Sequence, residues 1–193
     1  MRTDVNVAGI VEKYKVQMNA LSAMIYSRLP KEDLMLLRFW MLLHETSEVH
    51  DLILPDSYAL APFIQLFQPP VAVIYAVDAQ GELDNVAWFA AVDPMAKHQV
   101  AHGATYTRAN VRGTKRHLHF TYLAYSLAFE FYDAILGTTW QPDLLKIHSK
   151  IGYNVVGCVP NMHDKAQLYY VHLTKDAFIN SRLYKVATKG VKQ

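Results

Sequence analysis

Residues 141–160, QPDLLKIHSKIGYNVVGCVP, constrain the fold of this chain more than any other stretch. Leu144, Leu145, Ile147 and Ile151 recur at spacings that gather them on one face of a helix. Asp143 falls in the first turn, and Lys146, His148 and Lys150 lie further on, the distribution that a helix dipole favours. Gly152 stands where such a helix needs a residue tolerant of positive φ. Tyr153-Asn154-Val155-Val156-Gly157 then reads as a strand leading to Pro160.

The rest of the chain supplies elements that suit this unit. Residues 5–29 carry apolar positions at helical spacings and predict a helix ending before Pro30. Pro30-Lys31-Glu32-Asp33 opens a second helix, with proline and acids in the first turn, that runs through Leu43 and into the Glu45–Glu48 region. The prolines at 55, 62, 69 and 70 break any long element between Asp51 and Pro70. From Val71 the periodicity changes. Val71–Val77 and Val86–Val92 are short β-branched runs separated by the turn signal Asp78-Ala79-Gln80-Gly81, and they predict an antiparallel hairpin. Gly103–Asn110 reads as a third strand. Leu118–Ile135 is long and alanine-containing and predicts a helix. Ile135–Trp140 is a further strand, Asn161–Lys165 a loop, and Gln167–Leu173 a final strand. The resulting order is helix, helix, strand, strand, strand, helix, strand, helix, strand, strand, an α/β arrangement. Residues 1–70 read as a helical part of the same domain, 71–175 as its core and 176–193 as a C-terminal tail, with the basic stretch from Lys185 to Lys192 solvated.

Bulk properties narrow the function classes. A length of 193 residues with 52% hydrophobic and 19% charged residues fits one domain with a sizeable core. A net charge of +2 is too small to argue for general nucleic-acid binding. Nine histidines make the charge sensitive to mild acid. Cys158 is the single cysteine, so an internal disulfide and a cysteine-rich metal site are excluded. The N-terminal segment lacks the apolar stretch of a signal peptide, and no run approaches the ~20 apolar residues of a membrane span. The expectation is a soluble, cytoplasmic protein with no membrane partner.

The 141–160 block resembles the N-x-x-A-x-x-L-Y-x-x-x-G-F block near the C-terminus of GNAT-superfamily acyltransferases. The element order agrees with that fold, a central, mostly antiparallel mixed sheet flanked by helices, here with helices added at the N-terminus. The overall look is similar to divergent GNAT-like proteins encoded by bacteriophages, which would place the chain in a host cytoplasm or a virion. The resemblance implies transfer of an acetyl or acyl group from acetyl-CoA or a related acyl-CoA to an amine acceptor. It also implies that the CoA pyrophosphate is held between the fourth strand and the following helix, on a loop of the form Arg/Gln-x-x-Gly-x-Gly/Ala. Here that segment is Val111-Arg112-Gly113-Thr114-Lys115-Arg116-His117, with Lys115 and His117 at the later glycine positions. Thr114 suits a helix cap, and Arg112, Lys115 and Arg116 could replace backbone donors with charged ones. Three cations at a helix start favour an anion. A solvated helix start in a protein that binds no CoA is the alternative.

The resemblance also places a general acid at His148, where many GNAT enzymes have tyrosine. Imidazole can donate a proton near neutral pH, and a surface histidine on a polar helix face is the alternative. For a general base, His102 shares a face of the third strand with Ala104, Tyr106 and Arg108. His98 and Glu82 are further options. His44, Glu45, Glu48 and His50 lack the spacing of a zinc-binding helix. His117 and His119 point to different helix faces. Ser126, Ser149 and Cys158 lack the context of a nucleophile. Tyr153 reads as core. The aromatics Phe120, Tyr122, Tyr125, Phe129, Phe131 and Tyr132 exceed what one buried stripe needs, so the surplus is expected to face a partner or second copy, in a homo-oligomer or protein assembly. A catalytically silent interaction or assembly protein on the same fold is the rival reading.

Overall fold

A computed structural model describes residues 6–25, 30–45, 71–139, 141–160 and 167–189. The Asn6 side chain accepts the Gly9 amide at 3.0 Å and so caps the first helix, α1 (Val7–Lys13). Tyr14 ends α1 and starts α2 (Lys15–Leu21). The single helix expected over residues 5–29 is thus two short ones, and the helical path stops at Ser22, whose φ is 49°. The next residues form a strand, β1 (Ala23–Ile25), paired antiparallel with β2 (Val71–Val77). Apolar residues whose spacing also suits a helix are recruited here by a free sheet edge, because pairing outweighs local periodicity. The second helix, α3 (Pro30–Glu45), begins at Pro30 as expected. Its extension toward Glu48, the Asp51–Pro70 segment and the Asn161–Lys165 loop lie outside the described residues.

The hairpin forms as predicted between β2 and β3 (Leu83–Ala91). In its turn Asp78 Oδ1 accepts the amides of Gln80 and Glu82, each at 2.9 Å. The third of the predicted strands begins earlier than expected, as β4 (Val100–Thr107), and yields at Ala109–Val111 to a single 3-10 turn. Helix α4 (Lys115–Phe131) also begins before the expected Leu118, and it ends before Ile135. The end is fixed by Asp133, whose amide donates to Gln99 O at 2.7 Å while its carboxylate accepts the Gln99 amide at 2.8 Å. Ile135 therefore enters β5 (Ala134–Thr139).

Residues 141–160 fold as expected, into α5 (Pro142–Ile151), a left-handed Gly152 at φ 104°, and β6 (Asn154–Pro160). The last strand is β7 (Gln167–Thr174). Residues expected to form a tail instead make α6 (Lys175–Ile179) and α7 (Arg182–Thr188), capped by Thr174 and Ser181 side chains. Phe178, Leu183 and Ala187 carry enough apolar surface to dock them, and all three are buried.

The strands lie in one sheet in the order β1-β2-β3-β4-β5-β7-β6, antiparallel except for β4 with β5. One face of β2–β4 packs on α3 through Leu36, Phe39, Leu43, Val73, Val86 and Tyr106. The opposite face packs on α1, α2, α4, α5, α6 and α7 through a core that includes Phe89, Ile135, Leu173, Phe120, Ile151 and Phe178. The aromatic surplus of α4 is used inside this core rather than offered to a partner. Tyr122 lies 5.5 Å from the Tyr184 ring, and Phe129 lies 5.5 Å from Phe178. Strand β6 is one edge of the sheet, and Val155, Val156 and Val159 on it are exposed. No helix among the described residues is long and apolar enough to cross a membrane.

Candidate active site

The parallel pairing of β4 with β5 covers only Val100–Ala134, Ala101–Ile135 and His102–Leu136. Beyond that last rung β4 continues to Thr107 alongside β3, and β5 continues to Thr139 alongside β7. The two strands therefore part within the sheet and leave a wedge whose closed end is at His102 and Leu136. The first position past the last rung is glycine on both strands. A Cβ at Gly103 would come within 2.8 Å of the Phe89 ring and 2.9 Å of Ile135. A Cβ at Gly137 would approach Val171 to 3.2 Å and both the Gly103 carbonyl and the Tyr153 ring to 3.9 Å. Glycine at both positions lets the strands lie against the Phe89, Ile135 and Val171 side chains, and neither residue puts a side chain of its own into the closed end of the wedge.

At the far end of β4, Thr114 caps α4. Its hydroxyl accepts the His117 amide at 3.3 Å and donates to Val111 O at 2.7 Å. Gly113 turns at φ 77°, with open space where a side chain would be. The amides of Lys115 and Arg116 precede the first intrahelical bond, so this end presents donors to an anion. Arg112 is exposed and its Nε donates to Thr107 O at 3.0 Å. Lys115 is exposed as well. Arg116 is held elsewhere. Its Nε pairs with Asp84, and Nη2 donates to Leu21 O at 2.8 Å and to Val77 O at 2.6 Å. The anion that the three cations favoured is, for Arg116, the carboxylate of Asp84, which is 1% exposed. Asn85 extends the network, donating to Asp84 at 2.8 Å and accepting from Thr107 Oγ1 at 3.0 Å. His117 is turned into the loop, where Nδ1 accepts the Gly113 amide at 3.1 Å. Burial and the nearby Arg112 charge lower its pKa, consistent with a neutral acceptor.

His102 lies on the sheet face that carries Tyr106, at the closed end of the wedge. Although its surface is exposed, desolvation lowers its pKa. His148 lies on the other side, on α5, its ring 5.1 Å from that of Tyr153. Desolvation lowers its pKa too, and Nδ1 is buried with no hydrogen-bond partner. This differs from the expectation of a proton donor near neutrality, because a desolvated imidazole resists the charge it would have to carry. Tyr153 is core as expected, donating to the Tyr125 hydroxyl at 3.2 Å.

No protein-family model and no curated protein sequence matches the chain. Solved structures do. The spermidine N-acetyltransferase of Vibrio cholerae, in complex with CoA and spermine, aligns with a TM-score of 0.64 over 82% of this chain and 98% of its own, at 11% identity. A GCN5-related N-acetyltransferase from Kribbella flavida aligns at 0.56 over 79% and 97%, with 17% identity. The ribosomal-protein-alanine N-acetyltransferase of Brucella melitensis aligns at 0.54 over 78% and 99%, with 14% identity. The fold is the GNAT fold.

Within this GNAT fold the residues singled out from sequence fall in two places. Val111, Arg112, Gly113, Thr114 and Lys115 form the loop at the open end of the wedge, and Arg116 stands behind it as a brace. His102 and His148 lie on opposite faces of the sheet near the closed end. The other options do not join them. Glu82 lies 3.9 Å from Arg108 in the hairpin turn, His98 is exposed in the loop before β4, and Cys158 is exposed on β6. Ser149 Oγ donates to Lys146 O at 2.9 Å. Among the described residues no cluster of histidine, cysteine or acidic side chains could hold a metal ion. Sequence reading missed Asp84 and Asn85, whose burial depends on tertiary pairing. The one available signal was a pair of polar residues at the head of an otherwise apolar strand.

Proposed function

We propose that this protein is a divergent GNAT-like N-acyltransferase that moves an acetyl or acyl group from CoA to an amine. The observation that carries this reading is the wedge, where a parallel ladder stops after His102–Leu136, glycines follow on both strands, and a capped helix N-terminus stands at the open end. Thr107 and His102 are separated by ~17 Å of extended strand, on the scale of an extended pantetheine arm. The acyl-CoA diphosphate would bind at the amides of Lys115 and Arg116, with the charges of Arg112 and Lys115. The thioester would reach the rung of His102. His102, kept neutral by desolvation, takes a proton from the amine as its nitrogen bonds to the carbonyl carbon. The C–S bond breaks and leaves a thiolate. His148, uncharged at neutral pH, offers that sulfur an N–H hydrogen bond rather than a proton.

His117 marks the cost of this departure from the glycine pattern, since a phosphate oxygen must compete with its Nδ1 for the Gly113 amide. Calorimetric titration with acetyl-CoA tests the reading. Saturable binding is expected, weakened about tenfold or more in R112A/K115A, because hydrogen bonds to charged groups contribute ~1.5–3 kcal/mol each. No binding at millimolar acetyl-CoA would leave the fold as an interaction or assembly scaffold.

A further inference from the structure

The register of the sheet sets two histidines on either side of one leucine. His102 on β4 stands opposite Leu136 on β5, Leu136 opposite His172 on β7, and His172 opposite Asn154 on β6. Residues directly opposite one another share a face of the sheet. On the neighbouring rung Ala101, Ile135 and Leu173 are all buried in the core that includes α4. Alternation therefore puts His102, Leu136 and His172 on the other face. There, among the described helices, only α3 packs, and it does so through β2–β4. His102 is exposed, and Leu136 and His172 are half-buried, so the row is open to solvent. Neighbouring strands lie ~4.8 Å apart, which separates the two histidine Cα atoms by ~10 Å. Two imidazoles at that separation can both lean over Leu136, at the closed end of the wedge.

We propose that His172 is a second catalytic imidazole, flanking with His102 an acceptor amine seated over Leu136. The inference rests on the acyl-transfer reading above. It follows from a proton count. An amine that arrives as an ammonium ion loses one proton before its lone pair can attack, and a second after the C–N bond has formed. One of the two protons ends on the departing thiolate and the other in solvent. A single neutral imidazole accepts one proton at a time, whereas two across a leucine accept both without waiting for the first to leave. The site therefore suits primary alkylamines that are cationic in solution.

Bromoacetyl-CoA tests the pairing without knowledge of the acceptor. It carries a bromomethylene carbon in place of the acetyl methyl, from which an imidazole nitrogen displaces bromide to form a C–N bond. Peptide mass mapping is expected to find the label on His102 or His172 in the native protein. In H102Q it should lie on His172, at a rate within about tenfold of native, and in H102Q/H172Q on neither position. If H102Q still binds acetyl-CoA by calorimetry but leaves His172 unlabelled, the proposal is overturned while the acyl-transfer reading stands. If the native protein binds no acetyl-CoA, the acyl-transfer reading itself falls, and this proposal with it.

Discussion

His117 and Arg116 adjoin in sequence and are opposite in consequence. The His117 ring holds the Gly113 amide, so H117A should free that donor and tighten acetyl-CoA binding by ~3–10-fold, the value of one modest hydrogen bond. Weaker binding by calorimetry would mean that the imidazole itself contacts the ligand. Arg116 braces the loop through Asp84, the carbonyl of Leu21 at the end of α2 and that of Val77 at the end of β2. R116A leaves a buried carboxylate without its partner, and should lower stability by ~2–3 kcal/mol in urea denaturation, the arginine being partly solvated. An unchanged midpoint would sink the brace. The histidines also make stability depend on pH. His102, His117 and His148 all have folded-state pKa values below the ordinary 6.5. As pH falls through 6.5 the unfolded chain takes up protons that the folded one refuses, so stability is full above that range and declines below it. The melting temperature should fall between pH 7.5 and pH 5. H148L should flatten that slope, because His148 carries the buried unpartnered nitrogen.

Among the elements, the join between α5 and β6 is the least tolerant of change. Gly152 combines φ 104° with a site where a Cβ would lie 2.6 Å from Ala177 O on α6. G152A should therefore destabilise by ~2 kcal/mol or more, beyond the usual cost of a left-handed alanine. Thermal melts of the purified variant would show it, and a shift of less than a degree would refute the close approach. The helix–glycine–strand unit was legible in sequence because its signals are local: amphipathic spacing, a proline start and a glycine stop. The β2–β3 hairpin was legible for the same reason. Strand β1 and the helices α6 and α7 were not, since Ala23–Ile25 and Phe178 gain their places only by contact with distant chain. The site divides in the same way. Among the candidates, the Arg112–Lys115 loop is suggested by the resemblance and His102 by strand alternation, whereas His172 emerges only from the register of three strands. Arg116 has no local mark of its pairing, because Asp84 lies 32 residues away in sequence.

At the scale of the whole molecule, the sheet is two smaller sheets joined along the seam from Val100 to His102. The first, β1–β4, is backed by α3, and the second, β5–β7, carries α5 and α6, with α4 packed across one face of both. A seam of three registered pairs is a narrow route for cooperativity, because unfolding of one half is coupled to the other mainly through α4 and those rungs. Scanning calorimetry of the free protein should give a calorimetric enthalpy larger than the van't Hoff value, a sign that the halves melt in part separately. A ligand lying in the wedge would touch both flanks, and the two enthalpies should then converge. The splay between β4 and β5 thus also decides how far the molecule melts as one body.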